Sequence, residues 1–128
     1  MTKMEIVQGR LIVRVKLEGK KFNTFEDALI DTGAAFTVIP AEVADFLELG
    51  VWKKRPKIEL VTASGLIKPS VRILDRLEVG NVKIENLPVV IHEIPDPAPI
   101  KILLGMNFIE RTNLLVNGKQ KLFKIEDP

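Results

Sequence analysis

The 128-residue chain has no cysteine and no tyrosine, and it has one histidine and one tryptophan. Each shortage removes a kind of chemistry. Without cysteine there are no disulfides, no thiolate nucleophile and no sulfur metal ligand, which fits a reducing compartment. A lone His92 allows no Cys/His pair, and with Ser64 and Ser70 as the serines a Ser-His-Asp triad has poor material. No His-rich or carboxylate-rich spacing suggests zinc, and no glycine-rich loop could cradle a phosphate. No metal or cofactor is therefore expected. No apolar run approaches the roughly 20 residues that cross a bilayer. The segment Met1-Thr2-Lys3-Met4-Glu5 lacks the apolar core of a signal peptide. The expectation is a soluble cytoplasmic protein that engages no membrane.

An excess of one charge is also missing. The 19 basic and 17 acidic residues leave a net charge of +2, so a nucleic-acid partner is not implied. The densest basic run, Lys53-Lys54-Arg55-Pro56-Lys57, has no interleaved aromatics and reads as a solvated loop. There is no internal repeat or low-complexity tract. Residues 1–128 make one domain, large enough for a real core.

What is present is a succession of short alternating strands. Leu11, Val13, Val15 and Leu17 alternate with mostly polar residues and reach a turn at Gly19-Lys20, after which Phe22 to Ile30 returns as the partner. Pro40 and Glu42 suit the start of a short helix that places Val43, Phe46 and Leu47 on one face and closes at Gly50. Leu60 to Leu74 reads as a hairpin. Leu77-Glu78-Val79 turns at Gly80-Asn81 into Val82-Lys83-Ile84, and Leu87 to Ile91 is a further strand. Pro95, Pro97 and Pro99 give an extended connector into a buried strand, Ile100 to Leu104. Met106 to Arg111 can form a short helix, and Leu114-Leu115-Val116 turns at Asn117-Gly118 into Leu122, Phe123 and Ile125. Trp52 and the phenylalanines read as packing residues, and His92 beside Glu93 as an exposed edge residue.

One residue interrupts this pattern. Asp31 follows Leu29 and Ile30 and precedes Thr32-Gly33-Ala34-Ala35-Phe36-Thr37-Val38-Ile39, so it is a carboxylate drawn partly out of water, where ionisation is costly. Taken alone, it also fits a turn aspartate that caps local N–H groups.

A second segment tips the balance. Leu29-Ile30-Asp31-Thr32-Gly33-Ala34 with Thr37 resembles the active-site loop of the aspartic proteases. Ile102-Leu103-Leu104-Gly105-Met106-Asn107-Phe108-Ile109 is similar to the segment before the last helix of the retroviral-type enzymes. Between them, Val61-Thr62-Ala63-Ser64-Gly65-Leu66 sits where that family places its substrate-covering flap. The resemblance is thus to the retropepsin-like aspartic proteases. It implies a mainly β, single-domain acid-protease barrel with one or two short helices, functional as a symmetric dimer. The chain is too short for the two-lobed, pepsin-like form with two Asp-Thr-Gly loops, so the second aspartate must come from another copy.

The same resemblance assigns residues. Asp31, Thr32 and Gly33 are the catalytic candidates: Asp31 as half of an intersubunit dyad that activates water, Thr32 as a lock between the two loops, Gly33 as a tight turn that brings its N–H to the carboxylate. Leu103, Leu104 and Gly105 would support the loop from behind. Ala34, Ala35, Thr62, Ala63, Ser64 and Gly65 are the substrate-binding candidates, with Phe36 and Leu66 as further pocket walls. The partners implied are a second copy and a peptide or protein substrate. Where the family has an acidic residue after Asp-Thr-Gly-Ala and an arginine after the later glycine, this chain has Ala35 and Met106. Its dimer is then expected to be held by apolar contacts around Met106 and Phe36. The alternative function is a dimeric peptide-binding or assembly module of the same fold with little or no catalysis.

Overall fold

The computed structural model describes residues 3–52, 60–62, 65–67 and 70–127, with the backbone alone at Lys3, Glu5, 60–62 and 65–67. The basic run at 53–57 and the hairpin-tip residues Ala63 and Ser64 lie outside the described residues.

Strands β1 (Lys3–Val7) and β2 (Arg10–Glu18) join through a turn in which Gln8 and Gly9 both take positive φ, 51° and 74°. The alternation expected of β2 is present: Val13, Val15 and Leu17 are buried. β3 (Asn23–Ile30) returns antiparallel, in register from Glu18↔Asn23 to Ile12↔Leu29. After the Asp31 loop come β4 (Thr37–Ile39), helix α1 (Ala41–Phe46) and the short β5 (Gly50–Val51). The helix differs from expectation in two respects. Phe46 points outward, and Ala44 joins Val43 and Leu47 on the buried face. The helix closes at Glu48 in a left-handed conformation, φ 54°, whereas Gly50 already belongs to β5.

β6 (Leu60–Thr62) and β7 (Gly65–Ile67) pair as a two-stranded sheet. The expected hairpin is thus shorter than Leu60 to Leu74, because Leu74 lies within β8 (Ser70–Val79). β8 turns through Gly80, at φ 56°, into β9 (Val82–Ile91), which merges the two strands expected there. The proline connector then makes a turn from Pro95 to Ala98 and contains a cis Asp96–Pro97 bond. β10 (Ile102–Leu104), α2 (Met106–Ile109), β11 (Asn113–Asn117) and β12 (Leu122–Glu126) complete the chain.

Ten strands form one sheet in the order β11-β12-β1-β2-β3-β10-β4-β9-β8-β5. A further pairing of β2 with β8 closes β2, β3, β10, β4, β9 and β8 into a six-stranded barrel. Its core is apolar: Val15, Leu17, Leu74, Leu77, Leu87, Ile102, Leu104, Phe108 and Phe123 are almost wholly buried. A second cluster of Val38, Val71 and Val90 is flanked by Phe36, Trp52, Ile94 and Leu103. The tail finishes the monomer's own sheet, with β12 pairing β1 antiparallel. Among the described residues, no helix is long and apolar enough to cross a membrane.

The topology that positions Asp31 is the insertion of β10 between β3 and β4. β10 runs parallel to β3, with Leu104 opposite Ile30, and antiparallel to β4, with Leu103 opposite Val38. The segment from late in the chain therefore splits the two strands that flank the Asp31 loop, and the loop must arch over its end.

Candidate active site

β3 delivers Asp31 half-buried at the end of the barrel. Its backbone N–H donates to the Leu104 carbonyl at 2.9 Å, which continues the β3–β10 ladder by one rung. Its Oδ1 accepts the Gly33 N–H at 2.9 Å. The Ala34 N–H donates to the Asp31 carbonyl at 3.2 Å, which closes the turn. Among the described residues, no hydrogen bond reaches the other carboxylate oxygen. The expected approach of the Gly33 N–H is therefore present. Its backbone lies outside the left-handed region, and an added Cβ would stand 3.3 Å from Asp31 Oδ1, a tight contact with a side-chain atom.

The start of α2 holds the far side of the loop. The Met106 and Asn107 N–H groups donate to the Ala34 and Ala35 carbonyls at 2.7 and 3.0 Å. This close approach needs Gly105, where a Cβ would run into the Phe36 and Ala34 carbonyls. Asn107 adds a side-chain clasp: its Oδ1 accepts both the N–H and the hydroxyl of Thr37 at 2.9 Å, and its Nδ2 donates to the Pro88 carbonyl at 2.8 Å. The Thr37 oxygen accepts the Gly105 N–H at 3.2 Å. Thr37 is the one polar residue buried in the core of the described residues, and this network satisfies it.

The structure thus brings Asp31, Gly33, Ala34 and Gly105 together. Thr32 and Ala35 are exposed, and the Thr32 side chain lines a groove shared with Met106. Phe36, partly buried, packs against the Val38 cluster, and Met106 lines the groove. Thr62 and Gly65 face each other as the last pair before the hairpin tip. Among the described residues, no group of three His, Cys, Asp or Glu side chains converges on a metal site.

A model of the aspartyl protease family matches residues 13–108, from the first barrel strand through the Asp31 loop to α2. This chain belongs to the aspartyl protease family. Its fold is retropepsin-like. Superposed on the crystal structure of a retropepsin-like aspartic protease from Rickettsia conorii, this family member gives a TM-score of 0.71 at 18% identity, over 98% of this chain and 89% of that one. Among curated proteins, no relative matches by sequence.

Sequence reasoning missed two features of the framework around the Asp31 loop. One is the role of Asn107, whose signal was an uncharged polar residue inside an otherwise apolar run. The other is Glu93, whose Oε2 accepts the Ala41 N–H at 2.8 Å and caps α1 from 52 residues away. No local pattern announces a cap supplied from so far along the chain.

Proposed function

We propose that this protein is an aspartic endopeptidase that hydrolyses peptide bonds by activating water between Asp31 and the Asp31 of a second copy. The observation that carries this reading is the strapped loop. Asp31 is fixed by the Leu104 carbonyl behind it and by the Gly33 N–H beside it, while one carboxylate oxygen is left for chemistry.

The mechanism follows from electrostatics. Two carboxylates about 3 Å apart do not both ionise cheaply, so the pair holds one proton between them. The ionised member takes a proton from a bound water as the water oxygen attacks the scissile carbonyl carbon. The protonated member donates to the carbonyl oxygen, which gives a neutral gem-diol. Return of a hydroxyl proton to one carboxylate, with protonation of the amide nitrogen, breaks the C–N bond and releases a carboxylic acid and an amine. No covalent intermediate forms.

The hairpin around Thr62, Ala63, Ser64 and Gly65 would close over an extended peptide and add backbone hydrogen bonds to it, with Ala34 and Ala35 on the opposite wall. Thr32, next to the dyad, would join the two loops. The cysteine-free composition supports a cytoplasmic setting.

The test is Asp31→Asn. Loss of peptide turnover with retained folding and peptide binding is expected, together with inhibition of the wild type by a statine-type transition-state analogue. Full activity in the variant would overturn the reading. Peptide binding unchanged by Asp31→Asn, with no turnover in either protein, would assign the fold to a binding module.

A further inference from the structure

The barrel closes where β2 meets β8, over three residue pairs: Lys16↔Glu78, Leu17↔Leu77 and Glu18↔Arg76. A closed barrel needs a fixed stagger between its strands. On the opposite path round the barrel, β10 meets β4 at a single pair, Leu103↔Val38. The stagger is therefore controlled largely at the β2–β8 closure.

The two outer pairs of that closure are opposite charges, and they form a ring. Lys16 Nζ stands 3.3 Å from Glu18 and 3.8 Å from Glu78. The Arg76 guanidinium stands 3.5 Å from Glu18 and 3.6 Å from Glu78. On β9, Glu85 and Lys83 extend the ring, at 3.8 Å from Arg76 and 3.6 Å from Glu78. The Glu18 and Glu78 side chains are 19% and 20% exposed, so water screens them poorly. Glu18 Oε2 is buried and, among the described residues, has no hydrogen bond. Its hold is by charge.

Leu17 and Leu77, both fully buried, lie between the two charged pairs. Burial fixes the face they show but not how far the strands slide. A slip of one residue turns Leu17 away from the core, so burial excludes it. A slip of two keeps the faces, and one direction sets Leu17 opposite Val79, itself buried and apolar. Charge rejects that arrangement, because it also sets Glu18 opposite Glu78. The slip in the other direction sets Lys16 opposite Arg76. Like charges directly opposite one another destabilise a strand pair.

We infer that the ring of Lys16, Glu18, Arg76 and Glu78 is the register lock of the barrel, selecting the native closure over the two slips that apolar burial leaves open. A half-buried ion pair adds little net stability, but it can single out one arrangement among several. The lock also reaches the hairpin, since β8 follows β7 along the chain. A two-residue slip would carry β8 about 7 Å along β2, at about 3.4 Å per residue. What that shift does to turnover rests on the peptidase reading. The lock itself does not, so its test reads register rather than activity.

Glu18→Lys is the deciding variant. Its ammonium is repelled by Arg76 in the native register and attracted by Glu78 in the slipped one. Cross-strand proton contacts in NMR spectra of the full-length protein report the register, Leu17 touching Leu77 in the native closure and Val79 in the slipped one. The wild type should show the first contact alone. Glu18→Lys should show the second, or both, with a lower melting temperature. Glu18→Gln, of the same shape without the charge, should keep the first contact and lose less. Should Glu18→Lys be too unstable for spectra, adding Arg76→Glu restores opposite charges at that pair and should recover most of the lost melting temperature. Absence of that recovery would overturn the lock. So would a wild type with both contacts, Glu18→Lys with the native contact alone, or equal losses in Glu18→Lys and Glu18→Gln. None of these outcomes bears on Asp31, whose role is tested by Asp31→Asn.

Discussion

Asn107 holds Thr37 across 70 residues of chain, its one side-chain oxygen accepting both the backbone N–H and the hydroxyl of the threonine at 2.9 Å. Through this pair, α2 grips the strand that leaves the Asp31 loop, while the Gly105 N–H grips the same hydroxyl oxygen from the other side. The loop is held from both ends, at Leu104 and at Asn107, and the Gly33 N–H holds the carboxylate within it.

Removing that grip should be costly. Asn107→Ala leaves the Thr37 N–H and hydroxyl and the Pro88 carbonyl without their partner, and with buried unpaired groups costing about 1–3 kcal/mol each, a loss of roughly 2–4 kcal/mol is expected. Chemical denaturation measures the loss. Asn107→Asp keeps the acceptor for Thr37 but sets a carboxylate oxygen against the Pro88 carbonyl, so it should be destabilised as well. An Asn107→Ala variant as stable as the wild type would contradict the account.

Gly105→Ala tests the close approach of α2 to the loop. The new Cβ meets backbone carbonyls of Phe36 and Ala34, which cannot swing aside as a side chain could. A destabilisation of about 2–4 kcal/mol is expected, in the range of strained overpacking, with turnover falling further than stability alone explains because the loop must shift. Gly50→Ala is the control, since its Cβ would meet nothing within 4 Å.

The parts of this architecture that were legible in the sequence are those encoded locally. Val13, Val15 and Leu17 announce β2 by alternation, Gly80 announces the β8–β9 turn, and Asp31-Thr32-Gly33 announces a constrained carboxylate. What stayed hidden depends on distant chain. Phe46 has the spacing of a core residue, but α1 is so short that Ala44 and Leu47 fill the space against the barrel and Phe46 stacks beside Phe22, ring centres 5.7 Å apart. The sequence pattern divides Val82 to Ile91 into two strands, Val82 to Ile84 and Leu87 to Ile91, where the structure has one. The positive φ of 54° at Asn86 is a local kink that the β8 ladder bridges.

The proline connector is fastened by Lys101, whose ammonium donates to Asp96 at 2.8 Å and to the Ile94 carbonyl at 2.9 Å. The hydrogen bond from Lys101, and then its charge, hold the Asp96 carboxyl below its ordinary value of 3.8. Since the folded state favours the ionised form, the pair's contribution is present above that ordinary value and is lost as pH falls through the lower, folded one. Asp96→Asn should therefore lower the melting temperature slightly at neutral pH and have no effect in strong acid. High salt should shrink the difference, because the pair is exposed. A deficit that persists in strong acid would contradict the assignment.

Glu93 gives a smaller effect of known sign. Its carboxylate caps the first turn of α1 through the Ala41 N–H, a position where no side chain of the helix itself does so. Glu93→Ala should cost about 0.5–1 kcal/mol, the range for a lost cap with its charge near a helix N-terminus. Thermal denaturation would show it, and an unchanged melting temperature would contradict it.

The central claim is peptide-bond hydrolysis by Asp31, and a diverse peptide library analysed by mass spectrometry tests it most directly. Wild type and Asp31→Asn would be incubated side by side from about pH 3 to 7, spanning the ordinary carboxylate range and above. The account predicts discrete cleavage products from the wild type, with extended apolar segments preferred, and none from Asp31→Asn. Identical product patterns from both proteins, or no products from a wild type that sediments as a dimer, would contradict it.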